Sequence, residues 1–470
     1  MAARFLVALT LLAAPVLAGC IGAKTDIPGN DDPIIPTGLF ASNESLWLDP
    51  QDAPHPAFNF PTLANPPLNG SDYPDFWKPV PMAPIPATIK GLKPVARAAD
   101  AGSKQAGGIA VFGSLVVKPG FGRDAQTAVI DISDPMAPQV LSTMDVQTRG
   151  AGIIAYPNGR LLTVLSTSQN ILVYDITDPT SPKQLPSLES PTGSHKLGVV
   201  PGTPIVYNAN SNGGGGATGN FLDPTANVGS GNGQTEIYDL SNPDADAFEP
   251  IIFKNGYGCH HIYFWITAEK QRALCAGLQY TQIWDIANPL EPKVIVSIPV
   301  HHGVNPVPAV SAVPVMFSHS AMYNDDGTVL VVGDEMMGGG TAECVGVGTP
   351  ATQVSGPMGA LWFYDVKDEK NPKLLGWFSP PPFRATNPGP MTAGCTAHHG
   401  RLVPDPEGKK DLMVFAFYGA GTVLVDFTNP TTPKMLDQHN AGTNTWESWY
   451  VNGWIVTGDL AKGVEILQLE

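Results

Sequence analysis

The octapeptide Asp131-Ile132-Ser133-Asp134-Pro135-Met136-Ala137-Pro138 returns in variant form along the chain. Its relatives are Asp175-Ile176-Thr177-Asp178-Pro179, Asp239-Leu240-Ser241-Asn242-Pro243, Asp285-Ile286-Ala287-Asn288-Pro289, Asp365-Val366-Lys367-Asp368 and Asp426-Phe427-Thr428-Asn429-Pro430. A degenerate seventh copy runs from Val464 to Leu469. Each copy follows an apolar or aromatic run such as Ile171 to Tyr174. Each complete copy leads into another, such as Lys293 to Val296. That order reads as strand, tight Asx/Pro turn, strand. Successive copies lie 44, 64, 46, 80, 61 and 42 residues apart, and the short spacings fit a four-stranded propeller blade of about 40–50 residues. Two further strands fit between copies; in the fourth repeat they are His261 to Ile266 and Arg272 to Gly277. The expectation is an all-β chain, a seven-bladed β-propeller over residues 84–470. No strand follows the last copy, so closure needs an N-terminal strand as the missing outer one, expected within Pro84 to Val95. Closing the ring removes exposed sheet edges.

The phrase resembles the LVIVD repeat of bacterial surface and exported propellers, over roughly residues 105–470. That resemblance implies a propeller more than it implies an activity. The N-terminus points to the same compartment. Met1 to Arg4 form a basic start, Phe5 to Val16 an apolar stretch, and Leu17-Ala18-Gly19-Cys20 sets small residues before a cysteine. This is the layout of a secretory signal peptide over residues 1–19, too short for a spanning helix. It resembles the lipobox of bacterial lipoproteins, which implies acylation of Cys20 and a membrane anchor. Ile21, which is not the inner-membrane retention Asp, points to the outer membrane or cell surface. Residues 20–83, rich in Pro, Asn and Asp, read as a tether and wrapping arm. Gly 50, Pro 47 and 14% charged residues fit many turns and few long helices. A net charge of −16 argues against nucleic acid as a partner, and a monomer is expected.

Strand order assigns the faces. With strands A (innermost) to D in each blade, the Asp-Pro turn joins C to D. The B–C loops and D-to-A connections then share the opposite face. The long insertions fall there: Asn208 to Gly233, Pro299 to Ser318, Gly333 to Met358 and Ser379 to Ala397. Gly213 to Gly216 and Gly338 to Gly340 read as surface loop, since no strand-to-helix context supports a phosphate cradle. At the start of strand A on this face stand His195, Cys259-His260-His261, Ser318-His319 and Ala397-His398-His399, with Trp446-Glu447 in blade 7. With the nearby His302 these are seven of the ten histidines. Imidazole is the commonest metal-binding side chain, and several near one channel call for a cation or hydrogen-bond partners.

This arrangement is similar to the four-histidine iron site of carotenoid cleavage oxygenases and to the metal sites attributed to selenium-binding-protein-type propellers. The similarity implies a single transition metal, copper or iron before zinc, held by His195, His261, His319 and His399. His260 and His398 are one-residue alternatives, and Glu447 a ligand or an orienting carboxylate. Gly107 and Gly150 to Gly152 in blades 1 and 2 would leave an open side for a substrate. Asp334, Glu335 and Asp459 close strands B on the same face, as further carboxylates or as solvated loop ends. Against this stands the WD-repeat precedent, where a His near a blade start hydrogen-bonds a turn Asp for structural reasons. A metal-free binding site is the third reading. Four cysteines beyond Cys20 allow three pairings; Cys259 with Cys275 and Cys344 with Cys395 are expected, although a metal-contacting Cys259 stays open. Asn324-Asp325-Asp326-Gly327 reads as a hairpin turn rather than a calcium loop, and no Gly-x-Ser-x-Gly elbow is present. Two functions compete: a metal-dependent oxidoreductase, and a non-catalytic surface module for a protein or polysaccharide partner.

Overall fold

The repeated apolar runs build seven four-stranded antiparallel sheets in the computed structural model. It describes residues 86, 88–98, 108–120, 125–210, 234–299, 318–335, 359–380, 396–440 and 444–470, apart from 157, 257, 278, 279, 406, 407 and 461. Six sheets use four consecutive strands. Their inner strands A are Ala110–Phe112, Gly150–Ala155, Lys196–Val199, His261–Ile266, Ser318–Tyr323 and Gly400–Val403. Blade 7 has Thr445–Val451 as strand A and ends on Gly463–Leu469, which takes Leu92–Arg97 as its outer partner. Closure by an N-terminal strand is therefore present, but two residues further on than Val95. The ladder runs from Leu92, and Pro94, which has no amide hydrogen to give, sits at its register irregularity. Arg97 then pairs with Glu465 at 2.9 Å across the seam.

Strands B and C are sandwiched between neighbouring blades. Leu161–Ser166 and Tyr280–Asp285 are buried at every position, whereas the outer strand Gln139–Met144 is mostly half-exposed. Two-sided burial is why the repeats read as continuous apolar runs instead of strict alternation. In blade 4 the second strand is Gln271–Ala276, one residue ahead of its expected span. Trp284 illustrates the packing: it is fully buried, with Phe253 edge-on at 4.9 Å.

The six Asp turns share one device. The leading carboxylate accepts the amide two residues on, from Ser133 (2.7 Å), Thr177 (2.9 Å), Ser241 (2.8 Å), Ala287 (2.8 Å), Lys367 (3.0 Å) and Thr428 (3.1 Å). These are Asx turns, in which the side chain replaces a backbone acceptor. Some turns also clasp a neighbour: the Tyr207 hydroxyl donates to the Pro289 carbonyl at 2.6 Å, and Ser142 to that of Pro179 at 2.6 Å. Asn324 to Gly327 forms the expected hairpin turn, with Gly327 at φ 70° and the Thr328 amide on Asn324 Oδ1 at 3.0 Å.

At the other end, strand C of one blade is pinned to strand A of the next by hydroxyl pairs. These are Thr127 with Thr148 (2.7 Å), Thr281 with Ser318 (2.7 Å) and Thr422 with Ser448 (2.9 Å). Between blades 3 and 4 the place is taken by Thr235 and Cys259, 3.6 Å apart. These contacts fix the strand starts beside the axis, where the histidines lie.

Candidate metal centre

Each inner strand begins with two consecutive residues near the axis. The first of each pair is Arg149, His195, His260, His319, His398 and Trp446 from blades 2 to 7. The second is Gly150, Lys196, His261, Ser320, His399 and Glu447, with Gly108 from blade 1. Rings at the first position touch from blade to blade. Centroids are 4.1 Å apart for His195 and His260, 4.6 Å for His260 and His319, 4.2 Å for His319 and His398, and 4.4 Å for His398 and Trp446. His261 and His399 meet at 4.4 Å, across the small Ser320. His319 and Trp446 sit at ladder irregularities, between Ser318/Ser320 and Thr445/Glu447. A bulge of this kind re-aims a side chain next to a site.

Two overlapping groups bring candidate ligand atoms within 4.8 Å of one another: His319, His398 and His399, and His260, His319 and Glu335. In the first group every Nδ1 already has a partner. His319 Nδ1 meets the His398 carbonyl at 3.1 Å, His398 Nδ1 meets the Trp446 carbonyl, and His399 Nδ1 meets the Tyr263 hydroxyl at 3.0 Å. Carbonyl contacts fix the proton on Nδ1 of His319 and His398 and turn each Nε2 lone pair inward, the usual outer support of a metal-ligating histidine. His399 Nε2 is buried and has no hydrogen-bond partner. An orphaned buried nitrogen is costly unless something binds it. Glu335 faces the group, with its carboxylate 3.2 Å from His319 Nε2 and 3.6 Å from His398 Nε2. Atoms sharing a tetrahedral ion at about 2.0–2.1 Å lie about 3.4 Å apart. The residues present fit a metal ion.

Burial is the leading cause of every pKa shift here. It holds His195, His261, His319, His398 and His399 well below the usual imidazole value, and neighbouring positive groups push the same way. Neutral imidazole is the form that ligates. Burial also lifts Glu335 to about 8, against the lowering effect of the Tyr418 hydrogen bond and with a further push from Asp334. Burial thus favours the neutral form of both partners at the His319–Glu335 contact. A metal ion would occupy the place of the proton they share.

Not every expected ligand joins. His195 has Arg149 Nη1 3.3 Å from its Nδ1 and belongs to neither ligand group; a cation on that side disfavours a metal. His261 lies in the second-position layer and lines the channel, and its Nδ1 is buried without a partner. His398 and His260, the expected alternatives, belong to these groups instead. Glu447 stays outside both groups and receives Arg401 at 3.2 Å, Lys196 at 3.8 Å and the Trp449 indole at 2.7 Å. On the side expected to be open, Gly108 and Gly150 make room for Lys196 and, with Gly152, line a cavity. A Cβ on Gly108 would lie 1.8 Å from Lys196 Nζ, and one on Gly150 2.9 Å from Lys196 Cδ. Asp334 and Asp459 stay outside both ligand groups.

Tyr418 and Tyr263 went unremarked in the sequence. Tyr418 follows strand B of blade 6 as Glu335 follows strand B of blade 5, and its hydroxyl donates to Glu335. Its φ of 43° is rare for a residue with a side chain, and amides of Gly421 and Thr445 on its carbonyl hold it there. Strain of this sort gathers at functional sites. Repeat phase is the signal that finds Tyr418, and alternation along strand A (His261, Tyr263) finds Tyr263.

The WD-type reading of the histidines loses its partner, since each turn Asp is engaged in its own turn on the opposite face. Cys259 and Cys275 are joined, with S–S 2.03 Å and Cα atoms 5.4 Å apart, which removes Cys259 as a metal contact. Cys344, Cys395, His302, Gly107, Cys20, the arm and nearly all of the four insertions lie outside the described residues. No helix among the described residues is long and apolar enough to cross a membrane.

No protein-family model matches the chain, and no curated protein matches it. Solved propellers do match in shape. The WD40 β-propeller domain of Doa1 superposes with a TM-score of 0.50 at 11% identity, covering 81% of this chain and 98% of that one. The Cps50 (Swd1) β-propeller domain of Myceliophteria thermophila gives 0.47 at 10% identity, covering 78% and 97%. At such identities the likeness to Doa1 speaks for fold alone: the chain is a seven-bladed β-propeller.

Proposed function

We propose that this propeller is an exported, lipid-anchored protein that holds one transition metal, iron or copper, and uses it in redox chemistry. The ligands are His319, His398 and His399 through Nε2, with Glu335 as the carboxylate and His260 as the adjoining imidazole. The observation that carries this reading is the set of three tied Nδ1 atoms, which leaves the buried, partnerless Nε2 of His399 facing two inward-turned imidazoles. Imidazoles with one carboxylate are a donor set used by iron(II) oxygenases, and imidazole alone suits copper equally. Export and anchoring rest on the signal-like start and on Leu17 to Cys20, and the LVIVD-like phrase and a disulfide suit an oxidising compartment.

Elemental analysis of the domain lacking residues 1–20 and any histidine tag tests the reading. About one equivalent of iron or copper is expected, falling to background in His319→Ala while circular dichroism stays unchanged. Zinc alone would replace redox chemistry with a structural or hydrolytic role. Protein that neither contains metal nor takes it up would overturn the metal centre and favour a surface-binding module.

A further inference from the structure

Beneath the histidines runs a cavity of about 710 Å³, from Lys196, His261 and Glu447 to the A–B turns at Gly202, Asp325 and Pro404. That is the size of a small-molecule site, about 300–1,000 Å³. Its walls come from the inner strands and are largely apolar, with Phe112, Leu197, Phe264 and Trp449 among them. Its inner end is charged. Among the described residues Glu447 is the carboxylate in contact there, shared between Lys196 (3.8 Å) and Arg401 (3.2 Å). The side chains of Lys196 and Glu447 are only 4% and 3% exposed. Arg401 is braced by Trp449, 3.8 Å beneath its guanidinium, and by Tyr263 at 4.8 Å. Glu335, the next carboxylate, is engaged with His319 and His398. Two basic side chains thus share one carboxylate among the described residues; burial pulls the Lys196 ammonium down against the raising effect of Glu447, and a second carboxylate beside it would favour its charged form. His261, whose Nδ1 is buried without a hydrogen-bond partner, lines the same cavity. Gly108 and Gly150 are the reason Lys196 can lie across it at all.

We propose that this channel binds an apolar molecule with a single carboxylate head. The head pairs with Lys196 and Arg401 and meets His261, and the apolar body extends toward the turn face. The site does not depend on the metal, although it ends one ring away from His399. A ligand of this class would complete the charge balance and fill the apolar length together.

Titrations of dodecanoate, dodecanol and dodecyltrimethylammonium into the domain test it, followed by calorimetry and by the fluorescence of Trp265 and Trp449, which line the cavity. Dodecanoate should saturate near one equivalent and bind at least tenfold more tightly than the alcohol, with the cation weakest. Lys196→Met should erase the preference for the carboxylate over the alcohol. Leu402→Trp, which fills the channel without touching the charges, should abolish binding of all three and leave metal content unchanged. Metal-stripped protein and His319→Ala should still bind dodecanoate within about twofold, so failure of the metal reading leaves this one standing. Equal affinity for acid and alcohol, or dodecanoate binding indifferent to both Lys196→Met and Leu402→Trp, overturns the proposal.

Discussion

The Asp turn and the start of strand A both recur once per blade, at opposite ends of the same strands, yet they repeat in different ways. At the turn the residue and its contact are conserved together: six carboxylates accept six amides at 2.7–3.1 Å. At the strand start only the position repeats, while the residue changes from glycine to lysine, histidine or glutamate. The turn solves the same local problem in every blade, satisfying backbone groups that would otherwise face solvent or the next blade. The strand starts meet at one axis, so equivalent positions must become different from one another to build one site. Uniform repetition marks scaffold, and repetition of place with variation of chemistry marks the site.

The largest effects should come from the strand starts. In blade 6 both kinds of position can be altered within one sheet. His399→Ala should lower metal content from about one equivalent to background, and Asp426→Ala should leave it at one. If both variants fold and both lose the metal, the separation between the two ends is wrong. A smaller effect is expected one shell out. Tyr263→Phe removes the hydroxyl 3.0 Å from His399 Nδ1 but keeps the ring, and loss of such outer support weakens metal binding by about 10–100-fold. Competition with a chelator would measure this, with stoichiometry preserved at saturating metal. Unchanged affinity would mean that His399 is oriented by packing alone.

This difference also explains what could be read in advance. The turn phrase announces itself because its residue types are dictated locally, and with it came the blades, their number and the need for an N-terminal closing strand. The histidines were visible for the same reason, as a recurring offset from the turns. Which of two adjacent histidines would ligate was not. His260 and His261 are neighbours in sequence, but one groups with His319 and Glu335 and the other lines the channel. Adjacent strand residues point to opposite faces, but which face meets the other histidines is set by the neighbouring blades, where His319 and Trp446 sit at ladder irregularities. The contacts of Glu447 and Lys196 have no local signal, because their partners, Arg401 and each other, come from three different blades. Glu335 was noticed as a strand-end carboxylate; only three-dimensional convergence tells it from Asp334, the residue before it.

The smallest effects should be found at the turn, and there they should be purely energetic. Asp131 accepts both the amide and the hydroxyl of Ser133, at 2.7 and 2.9 Å. Asp131→Ala leaves that amide without its acceptor, a net cost of about 1 kcal/mol, read as a lower denaturant midpoint with unchanged slope and unchanged metal content. Ser133→Ala removes only the hydroxyl contact on a partly exposed residue, and substitutions of that kind stay within about 0.5 kcal/mol. The order of the two matters more than their size. If the turn is held by side-chain capping of the backbone, the aspartate must cost more than the serine. Should Ser133→Ala cost as much, the hydroxyl rather than the amide is what the aspartate holds. The copies at Asp285 and Asp365, followed by Ala287 and Lys367 with no hydroxyl, would then be the weakest of the six turns.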